Sequence, residues 1–236
     1  MSRKLASAAF PIMWLLATAV ALAAARYFLN PVPLLLRTQA LALARHPEWL
    51  LLHIGCGVTA IAAGPFQFVA SLRASHPAVH RATGYIYLAA VSLGGCAGLL
   101  LAPDTAQFVA DGLSDSSAFE LIGMAPTALG FAPDTTYDPS QFLLVVVAFA
   151  ALAIAWIVTS AAALVRARQH RFAEHRAWMM RSYSLTFAAV TVRFVSVPLF
   201  VVTQDPVVAI TLTFWSWVLN LIVAEWLARR APRAVA

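Results

Sequence analysis

The chain contains six apolar stretches, each about as long as a membrane is thick, and this feature limits its fold most strongly. A helix needs about 20 predominantly apolar residues to cross a hydrocarbon core of roughly 30 Å. Backbone groups in lipid must be hydrogen-bonded within the protein, so stretches of this length cross as helices. The sequence therefore predicts an all-α polytopic bundle with six transmembrane helices. The predicted spans are residues 8–28, 49–71, 84–102, 141–165, 180–202 and 207–228.

Composition excludes a soluble globular protein. Of the 236 residues, 61% are hydrophobic and 11% are charged, which is too few charges to cover a soluble surface. We therefore expect one integral membrane domain over residues 1–236 with the lipid bilayer as its partner. The formal net charge of +6 does not indicate a nucleic-acid partner, because most basic residues flank the apolar stretches.

The distribution of basic residues predicts the topology. Twelve of them fall on one side of the six spans and three on the other, which also receives eight acidic residues. Positive residues concentrate on the cytoplasmic side of membrane proteins, so both termini are predicted to be cytoplasmic. In a bacterium this places the chain in the inner membrane. An alternative is that the first span is a cleaved signal peptide, which would leave five spans.

Residues 103–140 form the one long predicted loop, on the periplasmic side, with six acidic residues and no Lys or Arg. Its first half, 107–124, could form a short helix on the membrane surface. The loop is interpreted either as a covering flap or as a lid or docking element, because long loops are often functional.

Two predicted hairpins share a pattern that suggests an internal duplication. Arg73, His76 and His80-Arg81-Ala82 precede the third span, and Arg166, His170 and His175-Arg176-Ala177 precede the fifth. A duplication would make spans two and three parallel to spans four and five. Chance similarity between arginine-rich loops is the alternative. Within the third span, Gly94 and Gly98 form a GxxxG pair that favours close helix packing.

The paired histidines suggest a cofactor. His80 and His175 occupy matching places at the cytoplasmic ends of two helices, and two imidazoles can supply the axial ligands of a haem b. Arg81, Arg176 and Arg181 could pair with its propionates. The alternative is that these histidines interact with lipid head groups.

Two further residues are candidates because they lie within apolar spans. Arg193 is near the predicted bilayer centre, where a guanidinium is expensive, so we expect it to face the bundle interior and either clamp helix carbonyls or bind an anion. His53 is either a core histidine or a ligand. Together with Cys56 and Cys96 it could form a soft-metal site, although no further ligand pattern supports one. The two cysteines give no disulfide framework.

Three motifs resemble a known family. They are HIGCGVTAIAAGPFQF over 53–68, HRATGYIY over 80–87, and HRAWMMRSYSLTFAAVTVR over 175–193. Together they resemble the bacterial predicted membrane proteins called domain of unknown function 2306 (DUF2306). The resemblance implies a membrane bundle and directs attention to the motif residues His53, His80, Arg81, His175, Arg181, Tyr183 and Arg193. It implies no activity.

Three functions remain open from the sequence. The first is a haem-b or quinone-linked electron-transfer protein with His80 and His175 as iron ligands. The second is a small-molecule or lipid transporter or sensor that binds an anion at Arg193. The third is a structural or assembly subunit whose polar residues only fix the packing of helices.

Overall fold

The protein is helical in the ranges that its computed structural model describes, residues 14–24, 45–113 and 136–230, and these ranges contain no β-strand. Ten α-helices lie in these ranges: α1 Trp14–Ala24, α2 Pro47–Ala63, α3 Ala70–Ser75, α4 Pro77–Leu101, α5 Thr105–Leu113, α6 Leu143–Arg168, α7 Phe172–Thr186, α8 Ala188–Thr203, α9 Pro206–Trp215 and α10 Trp217–Arg230. Short 3₁₀ segments join some of them, at Gly64–Phe68, Ala102–Asp104 and Pro139–Phe142.

Four helical segments are long and apolar enough to cross a membrane. They are Pro47–Phe68, Pro77–Asp111, Pro139–Arg168 and Pro206–Arg230, and each coincides with a predicted span. The predicted span 180–202 instead falls across α7 and α8, which meet at Phe187. The predicted span 8–28 is described only in α1, which is shorter. The structure therefore supports a multi-pass helical membrane protein with four candidate spans among the described residues.

Proline and aspartate set the starts of these segments. All four begin with a proline in the first turn. Proline suits this position, because its φ is helical and the first N–H groups have no partner within the helix. Asp205 also caps α9, since its carboxylate accepts a hydrogen bond of 3.0 Å from the Val208 N–H. The span boundaries thus follow from local sequence.

The first helical hairpin consists of α2 and α4. A Cβ added at Gly98 would lie 3.2 Å from the His53 ring, and the Gln67 amide donates to the Thr83 hydroxyl at 2.8 Å. Residue numbers rise along one helix as they fall along the other, so the two helices are antiparallel. Between these points, a Cβ at Gly94 would lie 2.7 Å from the Cys56 Cβ. The GxxxG pair therefore faces α2, as close packing requires.

The second hairpin consists of α6 and α7, and it packs against the first. Hydrogen bonds link Ser160 to Ser182 and Trp156 to Thr186, so α6 and α7 are also antiparallel. A Cβ at Gly98 would lie 3.6 Å from Phe149, and one at Gly94 would lie 3.7 Å from Trp156, which makes α4 antiparallel to α6. It follows that α2 is parallel to α6 and α4 to α7, the relation that the proposed duplication requires.

The remaining helices cover this four-helix core. α10 packs along α7, α9 packs on both α8 and α6, and α1 contributes Ala17, Val20 and Ala21 to a cluster with Ile61 and Val190. Large apolar side chains such as Leu93, Val158 and Leu219 point outward and are exposed. In a membrane protein these side chains contact lipid.

The beginning of the predicted long loop is helical and packed. Val109 and Ala110 of α5 are buried in one cluster with Phe142, Val145 and Ala209. Residues 105–113 therefore form part of the bundle, while 114–135, which include the rest of the predicted surface helix, lie outside the described residues.

Gly64 provides a test of this packing. A Cβ added there would lie 2.1 Å from Cε2 of Tyr183, so Gly64→Ala forces the ring or α2 to move. We expect a loss of about 1–3 kcal/mol in the free energy of unfolding, as for other overpacked cores. Thermal unfolding of the detergent-purified protein measures it. Gly57→Ala is the matched control, because a Cβ at Gly57 meets nothing within 4 Å. Equal effects of the two substitutions would contradict the described contact between α2 and α7.

Candidate functional site

His53 joins the two helices of the first hairpin. Its Nδ1 lies 2.9 Å from the carbonyl oxygen of Gly94, an acceptor, so the proton is on Nδ1. In the neutral ring Nε2 then carries the lone pair. The ring also packs near Phe149, with centroids 5.9 Å apart. His53 therefore links α2 to α4, and its proton position is fixed by the backbone.

A buried network of hydroxyl groups fills the centre of the bundle. The Tyr87 hydroxyl lies 2.7 Å from the Ser182 Oγ and 2.8 Å from the Thr186 Oγ1. Ser160 reaches Ser182 at 2.6 Å, and the Trp156 indole N–H donates to Thr186 at 2.8 Å. All five residues are at least nine-tenths buried. The network connects α4, α6 and α7.

The hydrogen bonds of this network run in one direction. Thr186 donates its single hydroxyl proton to the Ser182 carbonyl, so Tyr87 must donate to Thr186. Ser182 must then donate to Tyr87, and Ser160 to Ser182. Trp156 can only donate. Every hydroxyl proton is used once, so the buried network leaves none of its donors unsatisfied.

Tyr183 and Gln67, both from the motifs, hold the C-terminal end of α2 in place. The Tyr183 hydroxyl donates to the Ile61 carbonyl at 3.3 Å, and its ring covers Gly64 and packs near Phe68. Gln67 donates to Thr83 and is buried. These side chains attach the end of α2 to α7 and α4.

Arg181 pairs with an acid on a distant part of the chain. Its Nε and Nη2 lie 2.8 and 2.6 Å from Oε2 of Glu225, and Arg229 binds the other carboxylate oxygen at 2.8 Å. The guanidinium also lies 4.6 Å from the centre of the Trp178 ring. Arg181 therefore ties α7 to α10.

His175 and His80 are the fourth residues of the parallel helices α7 and α4, so they lie at the same end of the bundle. The Nδ1 of His175 donates to the Ala163 carbonyl at 2.8 Å, which leaves a lone pair on Nε2 of the neutral ring. Metal-binding histidines commonly have such a backbone partner. The Nδ1 of His80 is buried and has no hydrogen-bond partner among the described residues.

The surroundings of His80 are basic. His80 lies within the range of electrostatic interaction with His175, Arg73 and Arg81, at the end of the bundle where α4 and α7 begin, and these four residues are called the histidine cluster below. The arginines are exposed and His80 is half-buried. The cluster combines two imidazoles with two guanidinium groups, a set that suits a ligand with acidic substituents.

From its depth we expected Arg193 to face the bundle interior, but it does not. Its side chain is exposed, and Nη1 donates to the Ala189 carbonyl one turn earlier on α8. Depth along a helix does not determine the direction of a side chain around it, which explains the difference. Cys96 is exposed and Cys56 is buried. Within the described ranges no three His, Cys, Asp or Glu residues lie close enough to hold a metal ion.

Most of the hydroxyl network was not predicted from the sequence. Trp156 and Ser160, like Ser182 and Thr186, are four residues apart and therefore share one helix face. Polar residues repeated at this spacing within an apolar span could have identified it. The pairing of Arg181 with Glu225 was not predicted either.

Comparison with known proteins identifies a family. Two overlapping segments, residues 50–131 and 125–228, match the family described as "Predicted membrane protein (DUF2306)". Neither the curated proteins nor the solved structures provide a match. The matched segments cover most of the chain and include the three motifs whose side chains form the contacts above. The chain therefore belongs to the DUF2306 family of predicted membrane proteins.

Proposed function

We propose that this multi-pass membrane protein is an electron carrier of the bacterial inner membrane that binds a haem b between His80 and His175. The observation that supports the proposal is the buried Nδ1 of His80, which has no partner in the described part of the chain and lies in one electrostatic cluster with His175. An unsatisfied buried nitrogen is costly, so its retention suggests a bound ligand.

The other candidate residues have packing roles, since Tyr183 binds Ile61 and Arg181 binds Glu225. His53 and His175 each bind a backbone carbonyl through Nδ1 and keep an unused Nε2. Of these two, His175 lies at the same end of the bundle as His80, whose Nδ1 has no partner among the described residues. A redox protein with paired histidines therefore accounts for the residues that a purely structural subunit leaves unexplained.

The side chains of the histidine cluster are of the types that bind a haem. His175 has the fixed tautomer of a ligand, because its Nδ1–H is held by the Ala163 carbonyl. Arg73 and Arg81 are exposed beside the pair and could bind the propionates. The iron would carry one electron between membrane partners. A quinone is the related alternative, with its carbonyl oxygens as acceptors at the same cluster.

A second candidate function is a transporter or sensor that binds an anion at Arg193. Arg193 is a charged and exposed side chain on the otherwise apolar helix α8. Arg193→Lys keeps the charge but loses the planar fork, so anion binding measured by calorimetry should weaken. Unchanged affinity would reject Arg193 as the site. If neither a cofactor nor an anion binds, the remaining function is that of a structural subunit whose polar network fixes the packing of helices.

The haem is tested by reduced-minus-oxidised spectra of the protein expressed with haem precursor. We expect sharp reduced bands in the wild type and their loss in His80→Ala and in His175→Ala, because each substitution removes one iron ligand. His76→Ala is the matched control: it is an exposed histidine at the same end of the bundle and should keep the bands. His53→Ala should keep them also. A wild type without reduced bands would reject the haem.

We also propose that the chain crosses the membrane six times with both termini cytoplasmic, with α7–α8 and the α1 region as the fifth and first spans. The distribution of flanking arginines supports this arrangement. Reporter fusions after Arg73, Arg168 and Ala236 should behave as cytoplasmic, and a fusion near Asp115 as periplasmic. A cytoplasmic signal at Asp115 would be incompatible with six spans.

A further inference from the structure

Three polar side chains on one face of the last span are buried and lack hydrogen-bond partners among the described residues, at the point where this span is interrupted. α9 ends at Trp215 and α10 begins at Trp217, with Ser216 between them. Thr213, Ser216 and Trp217 are 3%, 5% and 8% exposed. The Thr213 Oγ1, the Ser216 Oγ and the Trp217 Nε1 have no hydrogen-bond partner in the described part of the chain.

The three side chains lie on one face of this span, because Ser216 and Trp217 are three and four residues after Thr213. Residues three and four apart lie on the same face of a helix, with Cβ atoms about 5–6 Å apart. Ser216 follows Pro206 by ten residues, which is about 15 Å along a helix and close to the middle of a hydrocarbon core of roughly 30 Å. Neither bulk water nor lipid head groups reach this depth, so the groups need a partner inside the protein.

Other polar side chains in these helices are satisfied locally. The hydroxyls of Thr59, Thr105 and Thr203 each donate to the carbonyl four residues earlier, at 2.8, 3.0 and 2.8 Å. Thr213 does not make this bond although it lies in the same kind of helix. The buried indole of Trp156 donates to Thr186, whereas that of Trp217 has no such acceptor. The lack of a hydrogen-bond partner is therefore specific to this face of α9 and α10.

The chemistry of the three groups limits what can bind. An indole N–H only donates, so it disfavours a cation, and none of the three side chains carries a charge to hold an anion. All three are at least nine-tenths buried, which closes the face to a large lipophilic molecule from the bilayer. The occupant must be small and neutral and must accept a hydrogen bond.

We propose that Thr213, Ser216 and Trp217 hold an ordered water molecule at the interruption between α9 and α10. The water accepts from the Trp217 indole and from one hydroxyl, and it donates to the other hydroxyl. Three hydrogen bonds are typical of a buried water. Each of the three groups then has one hydrogen-bond partner. The site does not depend on the haem, and it is separate from the histidine cluster.

The test is X-ray radiolytic footprinting of the full-length protein in lipid nanodiscs, read by mass spectrometry. Radicals formed from a bound water oxidise the side chain beside it, even when bulk solvent is excluded. Trp156 is the internal control, since it is also 8% exposed but its N–H is bonded to Thr186. We expect Trp217 to be oxidised several-fold faster than Trp156.

Two near-isosteric variants test the role of the hydroxyls. Thr213→Val and Ser216→Ala each remove one bond to the water, so Trp217 oxidation should fall towards the rate of Trp156 while the Trp156 rate stays the same. If either variant fails to fold, the comparison of Trp217 with Trp156 in the wild type still tests the proposal. Equal, slow oxidation of Trp217 and Trp156 in the wild type would overturn the proposal, and so would a stoichiometric lipophilic molecule found in solvent extracts with Trp217 unlabelled.

Discussion

The bundle depends on the buried hydrogen-bond network around Tyr87. Apolar side chains alone give membrane helices little preference for one another over lipid, so packing and interhelical hydrogen bonds must select the neighbours. Tyr87 bonds Ser182 and Thr186 on α7, and these bond Ser160 and Trp156 on α6. A single cluster thus fixes the relative positions of α4, α6 and α7.

The motif residues divide into two groups once this frame is known. Contacts between helices are made by Gly64, Gln67, Tyr183 and Arg181. Each of the three side chains has a partner that explains it, and Gly64 has no side chain because the Tyr183 ring occupies that space. His80, at the start of α4, has no equivalent partner among the described residues. A site for chemistry is therefore more reasonably sought at this end of the bundle than at its centre, where the polar groups satisfy one another.

The sequence predicted what depends on local composition and missed what depends on distant contacts. The lengths of the apolar segments and the prolines that begin them are features of the local sequence, so four predicted spans overlap the observed ones. The interruptions at Phe187 and Ser216 carry no Gly signal in the sequence. Arg181 and Glu225 are 44 residues apart, and nothing in the chain between them indicates that they pair. The direction of Arg193 was missed because hydropathy gives depth but not rotation.

The one-way order of the Tyr87 network also bears on proton leakage. A row of hydroxyls conducts protons only if each member can pass one on and then turn back to its first orientation. Here Thr186 accepts from Trp156, which cannot accept in return, and its own proton is held by the Ser182 carbonyl. Reversal of the row would require Thr186 to give up its bond to the Ser182 carbonyl. A polar centre of this kind can lie in a membrane that carries a proton gradient without letting protons leak across it.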